Sequence, residues 1–268
     1  MSITQASAAS VGAESAGGQV KASVRFLFWG GVLLTVACIA AYVVQVRWAN
    51  LLLTPWYLPI GGTAAALMVV YAVSRQRKWW RLGIALACLA IAGLEWHFVT
   101  ALTALPSYTG PVVAGNAFPA FRAMLADGSE ISESCFQESP TTAVVFFQGR
   151  WCPFCMTQLR ELEARHEDFA RAGAEIVVAS IEGVEDAAQT QRDFPHLTVL
   201  SDRDRNLATA IDLVNRRSAP DGGDSATPTI LLVDRGGTVQ WLHRPTRIIA
   251  RPSASELVAE IKSHQTPR

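Results

Sequence analysis

Charge is scarce in this chain. Only 17% of its 268 residues are charged, 23 basic residues balance 23 acidic ones, and the net charge is zero. Soluble proteins carry about 25% charged residues. No basic excess is available to neutralise a phosphate backbone, so nucleic acid is not an expected partner. Cysteine is scarce as well: there are five, and only Cys152 and Cys155 form a close pair. A zinc ribbon needs a second pair at similar spacing. Cys38, Cys88 and Cys135 do not supply one, so neither a metal nor another cofactor is expected. Heptads and internal repeats are also missing, which excludes coiled coils and solenoids.

The chain is rich in apolar sequence, at 50% hydrophobic residues, and the surplus lies before residue 106. Residues 1–24 begin with a Ser/Ala/Gly-rich stretch without periodicity and read as a disordered cytoplasmic tail. Residues 25–105 hold three runs long enough to cross a bilayer, which takes ~20 residues. These are Phe26 to Val46, Leu51 to Val73, and Leu82 to about Leu105. The first run is too long for a signal-peptide core and two more follow it, so an uncleaved anchor is expected. Lys21 and Arg25 precede the first run, and Arg75, Arg77, Lys78 and Arg81 lie between the second and third. Basic loops stay in the cytoplasm. The N-terminus is therefore expected inside and everything after residue 105 outside, which makes a multi-pass protein of the cell inner membrane with a periplasmic domain. Trp79 and Trp80 at one interface, and Trp48, Trp56 and Tyr57 at the other, suit aromatic belts. Glu95 and His97 interrupt the third run and are expected to reach headgroups or water near its outer end. Cys38 and Cys88 lie at different depths and read as small packing residues.

Residues 106–116 form a Pro/Gly-containing linker. Residues 117–268 then have the composition and length of one soluble domain. Asp127-Gly128 marks a hairpin. Thr141 to Phe147 reads as a buried strand, and the pair Cys152-Pro153-Phe154-Cys155 follows a Gly-containing turn. A helical pattern with Leu159, Leu162 and Phe169 comes directly after. The cysteines therefore open a helix, where free N–H groups and the dipole favour a thiolate. Pro153 suits the first turn. Cys155, one turn on, can release a mixed disulfide formed at Cys152. Downstream, strands are expected at Ala174 to Ile181, Leu197 to Ser201, Thr229 to Val233 and Thr238 to His243. Helices are expected at Val184 to Arg192 and Arg205 to Arg217, with Gly173 as a C-cap. A last helix opens on the capping box of Ser253 and Glu256. Alternating strands and helices with a closing hairpin indicate an α/β fold, a three-layer α/β/α sandwich with a mixed sheet. Cys135 reads as an inert thiol, and His166 and His243 as isolated surface histidines.

These elements resemble the thioredoxin superfamily, in particular its AhpC/TSA, or peroxiredoxin-like, branch. The resemblance rests on Gly115-Asn116-Ala117-Phe118-Pro119, Asp127-Gly128, Gly149-Arg150-Trp151-Cys152-Pro153-Phe154-Cys155, Leu200-Ser201-Asp202-Arg203-Asp204, Ala226-Thr227-Pro228-Thr229 and Arg251-Pro252. It implies a thioredoxin-like fold with Cys152 and Cys155 catalytic. It also implies a docking surface of Trp151, Pro153, Phe154, Thr227 and Pro228, with a cis Thr227–Pro228 bond. The acid that thioredoxins carry in the strand before the cysteines is replaced here by Phe146, which leaves Glu182 as a candidate proton acceptor. In the register of typical peroxiredoxins the peroxide-reacting cysteine falls on Cys155 and their Thr on Cys152. Their arginine is not found beside Thr227-Pro228.

The leading functional reading is a membrane-anchored thiol–disulfide oxidoreductase acting on extracytoplasmic disulfides, of proteins or small molecules, with a thiol electron donor or acceptor and the lipid bilayer as partners. A thiol-dependent peroxidase is the alternative, and a non-enzymatic adaptor is a third.

Overall fold

Three apolar helices come first. The structure, a computed structural model, describes residues 3–47 and 52–265, without the side chains of residues 3–18, 20 and 21. The chain divides into two compact units. Residues 1–49 with 54–103 form one, and residues 50–53 with 104–268 form the other.

In the first unit, α1 spans Ile3–Arg47, α2 Tyr57–Arg75 and α3 Trp79–His97, and a π-helical turn follows at Phe98–Leu102. Three stretches are long and apolar enough to cross a membrane: Ala22–Arg47, Tyr57–Arg75 and Trp79–Leu102. Ala65, Ala66, Ala72, Ala85 and Ala92 are buried between helices, whereas Leu33, Leu67, Leu86 and Leu94 are each more than 60% exposed. Small residues inside and large apolar ones outside is the arrangement lipid favours.

Three expectations need correction here. Helix α1 begins at Ile3, ahead of its apolar run, where a disordered tail was expected; the alanines of that stretch have the highest helix propensity. The second helix starts at Tyr57 rather than at residue 51, because Pro55 disfavours helical geometry in the residue before it. Trp48 lies outside the described residues. Finally, Glu95 does not reach toward headgroups. It is buried, neither carboxylate oxygen has a hydrogen-bond partner among the described residues, and it packs against α2. A Cβ on Gly62 would lie 1.8 Å from Glu95 Oε2, so only glycine admits that carboxylate. His97 is exposed. Cys38 and Cys88 are buried free thiols, and Cys38 packs against Gly61.

The second unit is built on one seven-stranded sheet. Its strands are β1 (Arg122–Leu125), β2 (Glu130–Ser132), β3 (Thr141–Phe146), β4 (Ala174–Ser180), β5 (Thr198–Ser201), β8 (Thr229–Asp234) and β9 (Val239–His243), in the order β2-β1-β5-β4-β3-β8-β9. A small pair, β6 (Val214–Asn215) and β7 (Ser225–Ala226), lies apart. Strand β3 is parallel to β4 and antiparallel to β8, and β4 is parallel to β5. The sheet is therefore mixed, and β3 is central, with all six residues buried. Its side chains alternate between two cores. Ala143, Val145 and Phe147 pack with helices α4 (Pro153–Ala164), α5 (His166–Arg171), α6 (Val184–Asp193) and α8 (Ala254–Gln265). Val144 and Phe146 pack with α7 (Asn206–Ala210), Phe118, Phe121 and Phe136. This is a thioredoxin-like α/β sandwich with unequal outer layers, the heavier one carrying the cysteines.

Local rules account for most boundaries. Gly128, at φ +84°, makes the β1–β2 turn, and the Leu125 N–H donates to Ser129 O at 2.8 Å. Gly173, at φ +65°, ends α5. In the capping box the Ser253 N–H donates to Glu256 Oε2 at 2.7 Å and the Glu256 N–H to Ser253 Oγ at 3.2 Å. Two helical patterns end earlier than their periodicity suggests. The helix after the cysteines breaks at Arg165 into α4 and α5. The helix expected over 205–217 stops at Ala210. Asp212 takes φ +55°, a conformation that short polar side chains tolerate, and the Leu213 N–H closes back on Ala208 O at 2.7 Å. The chain then turns Val214 into β6, against Ala226.

Candidate functional site

Parallel pairing of β3 with β4 delivers the chain to the C-terminal edge of the sheet, where open α/β folds bind ligands. Gly149 turns it into α4 at φ +155°. A Cβ there would lie 2.6 Å from both Glu182 Oε1 and Trp151 Nε1, so only glycine fits. Arg150 then anchors the loop. Its N–H lies 2.9 Å from each Glu182 oxygen, and its guanidinium reaches Thr190 Oγ1 at 3.1 Å and Asp193 Oδ2 at 2.8 Å on α6.

Cys152 is the N-cap of α4 and Pro153 opens its first turn. The Cys155 N–H donates to Cys152 Sγ at 3.4 Å, and the two sulfurs lie 2.8 Å apart. Both are buried: Cys152 is 1% exposed and Cys155 0%. Trp151 and Pro153 lie exposed beside them, and Phe154 is partly buried against the same core.

The residue that sequence reasoning left without a role is Arg251. It lies in the loop before α8, is 6% exposed, and none of its guanidinium nitrogens has a hydrogen-bond partner among the described residues. Its positive charge acts on both thiols. Burial pushes the Cys155 thiol up. The hydrogen bond with Cys152, the Arg251 charge and the Gln148 backbone together outweigh that and bring it down to about 7. Cys152 moves the other way, raised first by its hydrogen bond with Cys155 and then by burial. The pair thus favours a single negative charge, and the Arg251 charge and the hydrogen bond from Cys152 favour it on Cys155. Two like charges at this separation in a buried site exclude each other. The arginine expected beside Thr227-Pro228 comes instead from the Arg251-Pro252 tail element, visible in the sequence but readable as a site residue only once the fold brings it under α4.

The remaining candidates fall in different places. Burial pushes the Glu182 carboxyl up to about 6 against the pull of the Arg150 N–H. Its partners are that N–H and Ser180, and no hydrogen bond joins it to either sulfur among the described residues. It braces the loop. Thr227 and Pro228 are buried. The Thr227 N–H donates to Leu213 O at 2.6 Å and its carbonyl accepts from Thr229 Oγ1 at 3.2 Å, so these groups are engaged within the chain rather than offered to a peptide. No described peptide bond is cis. Thr227–Pro228 is therefore trans, contrary to the resemblance; trans is the intrinsically favoured form. Cys135 packs on the opposite face of the sheet from the cysteine pair. Burial, then Glu175 and Glu138, push its thiol up to about 11, as befits an inert group. His243 is half-buried and stacked on Trp241 at 5.5 Å; burial, then Arg251, hold its pKa down. His166 is not isolated, since its ring stacks on that of His196.

Residues 114–242 match the family model described as AhpC/TSA family. Over those residues the chain carries an AhpC/TSA-like domain. No curated protein matches the chain in sequence. Among solved structures, peroxidoxin BcpB from Mycobacterium tuberculosis aligns at TM-score 0.50 and 16% identity, covering 58% of this chain and 99% of that one. A cysteine-to-serine mutant of peroxiredoxin 6 from Arenicola marina aligns at TM-score 0.51 and 18% identity, covering 57% and 74%. These likenesses establish the peroxiredoxin form of the thioredoxin fold. The AhpC/TSA-like domain makes the protein an oxidoreductase with thiol-dependent redox activity.

Proposed function

We propose that this chain is a membrane-anchored thiol peroxidase in which Cys155 reacts with peroxide and Cys152 resolves the product. One observation carries this reading: a buried guanidinium whose charge acts on two sulfurs that are themselves almost wholly enclosed. Enclosure favours a small oxidant over a protein disulfide, which would need an exposed sulfur to dock against. The Arg251 cation favours the Cys155 thiolate and the negative charge that develops on a peroxide oxygen as its O–O bond breaks.

Cys155 thiolate attacks one peroxide oxygen, the O–O bond breaks, and the alkoxide or hydroxide takes up a proton, leaving Cys155 as a sulfenic acid. Cys152 then attacks the Cys155 sulfur and releases water, forming a disulfide between the two. A separation of 2.8 Å is short enough for that bond to form with little movement. An external thiol reductant returns two electrons and two protons. The AhpC/TSA cysteine, adjusted by Arg251, thus takes the peroxiredoxin role, and the second sulfur of the pair replaces a distant resolving cysteine.

Reactivity of the reduced protein toward a small alkylating agent tests the assignment. Cys155 in a Cys152→Ser variant should react with a midpoint below that of an ordinary thiol, at about 8.5, and a sulfenic-acid probe should label Cys155 after one equivalent of peroxide. Labelling confined to Cys152 in the wild-type protein would sink it.

Thiol–disulfide exchange initiated by Cys152 is the second reading. It is favoured by the N-cap geometry, in which Cys152 Sγ accepts the Cys155 N–H.

The anchor is read from the three apolar helices, from Lys21 and Arg25 at the start of the first apolar stretch, and from Arg75, Arg77, Lys78 and Arg81 around the connection of α2 to α3. With the basic residues held in the cytoplasm, an odd number of spans puts the redox domain outside it. Alkaline phosphatase fused after residue 105 should be active, and fused within 74–81 inactive; the reverse pattern would invert the orientation.

A further inference from the structure

We propose that Glu163, His166 and His196 bind one divalent transition-metal ion of the zinc class, at a site separate from the cysteine pair. The three residues come from three places in the fold. Glu163 is in the last turn of α4, His166 opens α5, and His196 lies in the loop between α6 and β5. One ligand atom from each lies within 4.8 Å of the other two.

The group is already assembled by its own hydrogen bonds. His166 Nδ1 is 2.9 Å from the Glu163 carbonyl oxygen. With Nδ1–H donating to that carbonyl, the ring is oriented and the Nε2 lone pair is left for a ligand, which is the outer-shell arrangement metal-binding histidines use. The His196 N–H donates to Glu163 Oε2 at 3.1 Å, and His196 Nδ1 is bonded to Oε1. This holds the carboxylate against the loop. The two imidazoles stack with centroids 3.7 Å apart and planes within 5°.

Donor chemistry selects the ion. Two imidazole nitrogens and one carboxylate oxygen suit zinc, nickel or copper. Calcium and magnesium take oxygen ligands almost exclusively and need about six of them. Bonds of about 2.1 Å at tetrahedral angles place ligand atoms about 3.4 Å apart. Closing from the present spacing takes a rotation of the His196 side chain, which is 53% exposed and would exchange its Nδ1 bond to Glu163 and its stack on His166 for ligation. The same exposure leaves a fourth position to solvent. Glu163 follows Cys155 by eight residues, about 12 Å along a helix axis, so no ligand is shared with the thiols. An ion here would tie the far end of the cysteine-bearing helix to the loop that enters β5.

Zinc and cobalt titrations of the full-length protein in detergent test this, in the wild type and in a Cys152→Ser/Cys155→Ser background that removes the paired thiolates. We expect one zinc equivalent in competition with a chromogenic chelator, and a cobalt spectrum without thiolate charge transfer in the serine background. His166→Ala and His196→Ala should each weaken binding by about tenfold or more, and the double variant should bind none. Zinc should raise the Tm of the parent protein and not of the double variant. His196 is exposed and His166 half-buried, and circular dichroism checks that the variants fold. If the parent takes up no zinc, or the double histidine variant keeps the equivalent, the proposal fails. A lower Tm in the histidine variants with no zinc response in the parent would overturn it too, identifying a hydrogen-bonded brace instead.

Discussion

Arg251→Met is expected to lower the rate of peroxide reduction by about 100-fold or more and to cost the reduced domain stability above pH 7. The two halves of this result have one cause. A buried guanidinium forfeits its hydration and is compensated here by the charge of the Cys155 thiolate beside it. Replacing it with an apolar side chain of similar length leaves that thiolate buried without its counter-charge, so the thiol holds its proton to higher pH. The same change removes the positive charge that holds Cys155 near 7 and the field that favours charge on the departing oxygen. A preorganised donor at a developing oxyanion contributes about 10²–10³-fold in rate. Peroxide kinetics with thermal unfolding of the same preparation provides the test. Loss of activity with an equal loss of folding would make Arg251 merely structural.

A pH dependence follows from the same contact. The Cys155 pKa is depressed in the folded protein, so its contribution to stability is complete above the unfolded thiol value of about 8.5 and is lost as pH falls through about 7. The reduced wild-type domain should therefore gain stability across that interval, and Arg251→Met should show a flatter profile.

The second large effect separates the two sulfurs. Cys155→Ser should reduce peroxide consumption by on the order of 10³-fold or more, as loss of a nucleophile does. Cys152→Ser should keep the first oxidation within about tenfold of wild type and accumulate the sulfenic acid, because the reacting sulfur remains and only its partner is gone. Rapid-mixing kinetics with one equivalent of peroxide reads both. If Cys152→Ser abolishes the reaction and Cys155→Ser spares it, the roles are reversed and disulfide exchange started at Cys152 becomes the better account. If neither substitution changes peroxide or disulfide reduction, the domain is an anchored adaptor.

Much of this was legible in sequence because it depends on local rules. Three long apolar runs announce three helices wherever they occur, since a span is set by length and polarity. Thr141 to Phe147 reads as a buried strand from its unbroken apolar character, and the pair after it opens a helix because Pro153 suits a first turn. The hairpin at Asp127-Gly128 and the capping box at Ser253 and Glu256 are equally local. Where the reading failed, a distant partner decided. The helix expected over 205–217 ends at Ala210 because Val214 finds Ala226 in a two-stranded pair. Glu95 turns inward because Gly62 on α2 leaves room for it. His166 is not isolated because a loop thirty residues on places His196 against it.

The sequence by itself determined that two sulfurs stand one turn apart at the start of a helix, behind a buried strand and a set of apolar spans. Spacing, proline and hydrophobic run length are properties of neighbouring residues, and they survive without knowledge of the fold. Which sulfur carries the negative charge was decided only by tertiary structure. That choice depends on a guanidinium from the far end of the chain, on burial that removes water from both thiols, and on a separation of 2.8 Å that favours a single negative charge on the pair. Charge interactions act through space and grow as water is excluded, so their outcome could be read only after the chain had folded.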